Sequence, residues 1–177
     1  GVGAAGDGRP VAAGLATPGF ACLAPEAAGG AWYPNRFMGP VASNEPWLSS
    51  ALETVGRILA LVEERVPARH VILLGFSQGA CLTLEFAARN ARRYGGLVGL
   101  TGGLIGPDDT PRDYPGSLDG TPAFLGCSDV DPPIPVQRVM ETATVQEALG
   151  GKARVCFYPV VGHGVGGAGR SRVRRVW

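Results

Sequence analysis

The 177-residue chain lacks several things, and each shortage narrows what it can be. No apolar run approaches the ~20 residues of a helical membrane span, so no bilayer crossing is expected. No charged segment followed by a continuous apolar stretch opens the sequence, so no export signal is visible and a cytoplasmic location is expected. Cys22, Cys81, Cys127 and Cys156 are widely spaced and form no C-x-x-C pair. Three of them sit in apolar runs, which predicts reduced core thiols rather than a disulfide framework. Charge of either sign is also scarce: charged residues make up 18%, with 16 basic against 15 acidic side chains. Arg170, Arg172, Arg174 and Arg175 crowd the last eight residues, and without them 12 basic face 15 acidic residues, a body of net charge −3. A nucleic-acid binder carries its basic residues on a folded face, so nucleic acid is not the expected partner.

What is abundant is apolar and small. Hydrophobic residues reach 45%, enough for one globular domain, and 28 Gly with 15 Pro predict many loops. Five short apolar runs read as buried strands: Phe20–Ala24, His70–Gly75, Leu97–Thr101, Ala123–Gly126 and Arg154–Tyr158. They are nearly continuously apolar, as parallel strands covered on both faces are. Helical spacing lies between most of them. Leu48, Leu52, Val55, Ile58, Leu59, Val62 and Val66 recur at three- and four-residue steps, predicting a helix from Trp47 to Val66 capped by Asn44, with Pro46 in its first turn. Gly79–Asn90 is apolar nearly all round, as a central buried helix would be. A third helix is expected from Val136 to Leu149, stopped by Gly150 and Gly151. This alternation specifies an α/β sandwich with a mostly parallel sheet and helices on both faces. The Gly- and Pro-rich stretches Pro25–Pro46 and Gly102–Pro122 are long enough to be functional loops.

The sharpest motif is Gly75-Phe76-Ser77-Gln78-Gly79, the G-x-S-x-G form of a nucleophile elbow. By itself it is a weak signal in so glycine-rich a chain. Its context strengthens it, because Val71-Ile72-Leu73-Leu74 leads in and an apolar helix leads out. A serine hydroxyl needs a base within hydrogen-bond reach, and the chain has only two histidines. His70 opens the strand at the end opposite Ser77 and is expected to be structural. His163 follows the last strand, at the sheet end where Ser77 emerges, and is the expected base. The orienting carboxylate should follow an intervening strand, where Cys127-Ser128-Asp129-Val130-Asp131-Pro132 leaves Ala123–Gly126. Asp131 is the preferred residue and Asp129 its competitor. Asp108, Asp109, Asp113 and Asp119 lie on a Pro/Gly loop and are read as turn formers.

These residues together resemble the phospholipase/carboxylesterase family of the α/β-hydrolases. Gly75-Phe-Ser-Gln-Gly-Ala80, the D-x-D-P-x-I-P of Asp129–Pro135, Gly162-His163, Ala31-Trp-Tyr-Pro34 and Asn44-Glu-Pro-Trp47 carry the similarity over about residues 1–164. The resemblance implies a Ser77 nucleophile, an Asp131 orienting acid and a His163 general base. It also makes the Gln78 backbone N–H one oxyanion donor and places Trp32 beside the acyl pocket, although Trp32 could equally be a packing anchor. No metal or organic cofactor is implied, and the substrate is a small-molecule acyl ester. Family members carry a strand ending in His-Gly-x-Gly, and this sequence opens at Gly1-Val2-Gly3-Ala4, which leaves Val2 as the second oxyanion donor. The absent strand would lie beside the one leading to Ser77, so its loss would expose strand edges or rearrange the pairing. Residues 165–177 replace the family's amphipathic final helix with a Gly/Arg-rich tail expected to be disordered. The domain is therefore read as residues 1–164 of a truncated α/β-hydrolase.

Three other readings compete. Gly1-Val-Gly-Ala-Ala-Gly6 matches a dinucleotide fingerprint with Glu26 beyond it, but no strand precedes it and Gly8, Pro10 and Gly14 oppose the helix it needs. A thioester or lysophospholipid could replace the simple ester, since the acyl-enzyme chemistry is shared. A catalytically weak or inactive remnant is the third.

Overall fold

The computed structural model of the chain describes residues 19–159. Four strands, β1 (Ile72–Phe76), β2 (Gly96–Leu100), β3 (Pro122–Ser128) and β4 (Lys152–Tyr158), form one sheet in chain order. Every pair is parallel, with Ile72 opposite Gly96, Leu97 opposite Ala123 and Pro122 opposite Lys152. Three helices accompany them: α1 (Trp47–Glu63), α2 (Gln78–Arg89) and α3 (Val136–Ala148). This is an α/β-hydrolase-like fold, with strands and helices within a few residues of the sequence expectations.

The two faces of the sheet are distinct. Leu73, Leu97, Ala123, Leu125 and Cys127 alternate onto the side that holds all three described helices, packing with Leu48, Leu84, Phe86, Val139 and Val145. Ile72, Leu74, Val98, Leu100 and Phe124 alternate onto the other side as a separate cluster. The sequence predicts helices on both faces; among the described residues the three α-helices pack on one side only. Leu84 and Leu97 are fully buried, each contributing about 1.5–3 kcal/mol relative to exposure.

One expected strand does not form. Phe20–Ala24 is irregular, with Phe20 62% and Leu23 68% exposed. A strand is held by its ladder, and among the described residues nothing pairs with this run or with the outer edge of β1. Among the described residues β1 pairs on one side only, with β2.

The cap of α1 also differs from expectation. Pro46 is the cap residue and donates nothing; the neighbouring Glu45 carboxylate accepts from the Ser49 N–H at 3.1 Å and hydroxyl at 2.9 Å. Asn44 instead is fully buried, accepting from the Asn35 N–H at 2.8 Å and donating to the Arg36 carbonyl at 3.3 Å. It ties the loop before α1 to itself, work that a side chain pointing along the helix could not do.

Candidate active site

β1 ends at Phe76 and α2 begins at Gln78, so Ser77 alone turns the chain between them. Its backbone sits at φ 53, ψ −122, a region that costs a residue with a side chain about 1–3 kcal/mol and persists only when its surroundings impose it. Those surroundings are visible. The Ser77 N–H donates to the Leu100 carbonyl at 2.9 Å, and the Ser77 carbonyl accepts from Ala80 and Cys81 at 2.9 and 3.1 Å. Glycine is required at position 75, where a Cβ would run into the Gly79 backbone, and at 102, where it would stand 2.6 Å from the Ala80 Cβ. Strand, helix and following loop thus converge on a serine held in a sharp turn. The Gln78 N–H occupies the first position of α2, where no helical acceptor exists and the positive end of the helix adds to its pull on an anion.

Asp131 lies on the turn after β3 and is buried, its carbonyl accepting from the Ile134 N–H at 3.3 Å. Asp129 is exposed, and its backbone N–H reaches the Tyr158 carbonyl at 3.2 Å. Because the four described strands run parallel, Ser77 and Asp131 both leave the carboxyl edge of the sheet, with β2 between their strands. β4 ends at the same edge at Tyr158. His163, Val2 and the tail 165–177 lie outside the described residues. His70 is exposed in a short turn before β1, at the far end of that strand from Ser77.

Two long loops meet beside the elbow, and neither anchor was apparent in the sequence. The first loop is held by the Gln78 side chain, whose Oε1 accepts from the Trp32 N–H and whose Nε2 donates to the Tyr33 carbonyl, both at 2.8 Å. Trp32 itself packs, partly buried, against the main core. The second loop is held by charges borrowed from the helices. Arg138, 1% exposed, donates to the Leu104 and Gly106 carbonyls at 2.7 and 2.6 Å and to Asp108 at 2.7 Å. Its Nε lies 2.8 Å from Glu141, which also pairs with Arg112 at 2.8 Å. Buried Glu85 accepts from the Ile105 N–H at 3.0 Å and from the Tyr114 hydroxyl at 3.2 Å. The loops join where the Gly106 N–H donates to the Phe37 carbonyl at 2.7 Å. Asp108, read from the sequence as a turn former, thus has a named partner. The available signal was Glu85, a lone carboxylate in a helix otherwise apolar nearly all round.

The cysteines beside this region are free, but they do not form one class. Cys81 and Cys127 are buried, whereas Cys22 is exposed, correcting its reading as a core thiol; its run forms no strand to bury it. Burial pushes the Cys81 thiol up to about 12. The Cys127 thiol also rises to about 12, through burial and then the nearby Asp131 charge. At pH 8 both therefore remain protonated in the folded protein, and the thiolate that attacks alkylating agents is nearly absent. Iodoacetamide is expected to modify Cys22 readily at pH 8 and to reach Cys81 and Cys127 only after denaturation, as peptide mass mapping would report. Equal modification of Cys81 and Cys22 in the native protein would contradict this burial.

Residues 23–169 match the family described as phospholipase/carboxylesterase. The chain belongs to this family. A crystal structure of a phospholipase/carboxylesterase from Dyadobacter fermentans superposes with a TM-score of 0.82 at 42% identity, covering 85% of this chain and 73% of that one. An acyl-protein thioesterase 1 from Yarrowia lipolytica is 33% identical over 84 residues, which span 45% of this chain but only 37% of the thioesterase. The Arabidopsis thaliana protein SOBER1 shares the fold at a TM-score of 0.80, 18% identity and coverage of 99% of this chain and 92% of that one. The chain spans less than half the length of the curated thioesterases it matches. Among the described residues no group of side chains could hold a metal ion, and no helix is long and apolar enough to cross a membrane.

Proposed function

We propose that the protein hydrolyses acyl esters through an acyl-enzyme on Ser77. The observation that carries this reading is the Ser77 backbone, strained at the strand–helix junction with the first N–H of α2 beside it. In the reaction, Ser77 Oγ attacks the acyl carbonyl while His163 accepts its proton, and Asp131 orients and stabilises the resulting imidazolium. Negative charge on the carbonyl oxygen is held by the Gln78 N–H, with the Val2 N–H as the second donor. Collapse expels the alcohol, which takes the proton from His163. Water then attacks the acyl-enzyme with His163 again as base, releasing the carboxylic acid and Ser77. No cofactor takes part in this scheme. The relatives named acyl-protein thioesterase 1 support a second reading, in which the leaving group is a thiol rather than an alcohol; the same residues would serve.

Fluorophosphonates phosphonylate serines activated in this way. One equivalent is expected to add to the purified chain, mapping to Ser77. A folded chain that takes up no label would overturn the proposal in favour of an inactive relative of such enzymes.

A further inference from the structure

Gln78 contributes two groups to two different places. Its main-chain N–H stands at the start of α2, beside Ser77, while its side chain reaches the loop of Trp32 and Tyr33, some 45 residues away in sequence. The carboxamide satisfies an N–H and a C=O of successive residues at 2.8 Å each, as a neighbouring strand's peptide group would. One short side chain, itself partly buried, therefore sets the loop against the elbow at two points rather than one. Two bonds with opposite polarity fix orientation as well as distance, because neither amide end can substitute for the other. Trp32 rides on the clamped segment, and its ring lies partly buried against the core. The neighbouring Tyr33 is 2% exposed, so the segment is anchored on its far side as well.

We infer that the Gln78 side chain is a positioning residue that fixes Trp32 relative to the oxyanion donor and thereby sets how the enzyme discriminates acyl chain length. This rests on the serine-esterase reading, in which the acyl group is carried on Ser77, and on the clamp that binds the Trp32 segment to the adjoining residue. A short acyl group on Ser77 would stop near the elbow. A long one would extend to the clamped segment of Trp32 and Tyr33, which is bonded to the residue next to Ser77. Releasing the clamp therefore weakens the longer substrate more.

The test uses Gln78→Met, which keeps the backbone N–H and the side-chain length but removes both hydrogen bonds, and Gln78→Glu, which keeps only the acceptor for the Trp32 N–H. In Gln78→Met, hydrogen exchange of the Trp32 amide is expected to accelerate at least tenfold. The octanoyl-to-acetyl ratio of kcat/KM is expected to fall about tenfold, carried mainly by KM for the octanoyl ester. That is the loss expected from two modest hydrogen bonds. Gln78→Glu should keep the Trp32 amide protected and show a smaller fall in the ratio. Unchanged exchange in Gln78→Met would overturn the clamp. Faster exchange with the wild-type chain-length ratio would reduce it to a structural tie and overturn the inference. A wild-type protein that fluorophosphonate does not label would instead overturn the esterase reading beneath it, whatever the exchange data show.

Discussion

Ser77→Ala is expected to lower esterase turnover on the order of 10⁶-fold, leaving only the acceleration that binding and the oxyanion donors supply. The argument is chemical, because no other group at the elbow can form the acyl-enzyme. Alanine keeps a Cβ at the same strained backbone position, and the bonds that hold the turn are main-chain ones to Leu100, Ala80 and Cys81. The fold should therefore survive, with an unchanged far-ultraviolet circular dichroism spectrum and a melting temperature near wild type. Residual activity is expected to be insensitive to fluorophosphonate. Turnover of p-nitrophenyl esters within tenfold of wild type would refute the role of Ser77.

The second large effect is on stability. Arg138→Met should destabilise the protein by about 3–5 kcal/mol, since it leaves buried polar groups without the partner built for them. The Leu104 and Gly106 carbonyls lose their donors, and each orphaned buried acceptor costs about 1–3 kcal/mol. Glu141 is only partly exposed and keeps Arg112. For a domain of this size the loss corresponds to a fall in melting temperature of roughly 10 °C. Asp108→Asn provides the contrast. Asp108 is 86% exposed, so its pair with Arg138 contributes under about 1 kcal/mol and its replacement should barely register. Thermal melts showing equal losses for the two variants would mean that the carbonyl contacts do not carry the energy.

The parts of the site that were legible in the sequence are those built from neighbours in the chain. The elbow is local: apolar β1, two glycines around a serine and an apolar helix specify one another within twenty residues, so its position and strain could be anticipated. The same holds for the Pro-rich turn that carries Asp131. Contacts made across the chain left little local trace. Nothing near Gln78 indicates that its side chain binds residues 32 and 33. Nothing near Asn44 indicates that it serves Asn35 and Arg36 while Glu45 caps α1. Nothing near Arg138 sets it apart in the sequence, yet it is among the most buried side chains because the loop brings carbonyls to it. Phe20–Ala24 shows the reverse error. Its composition suits a strand, but a strand exists only in a ladder, and a partner cannot be read from the strand's own residues.

The sheet's order has a consequence for synthesis. β1, β2, β3 and β4 stand side by side in the order in which they are translated, so each new strand can dock on the one just completed without waiting for a distant segment. Folding that proceeds from the amino-terminal side during translation would then close the Ser77 elbow against β2 while the ribosome has yet to make Asp131 or His163. The turn that strains the serine is assembled before any group able to activate it exists.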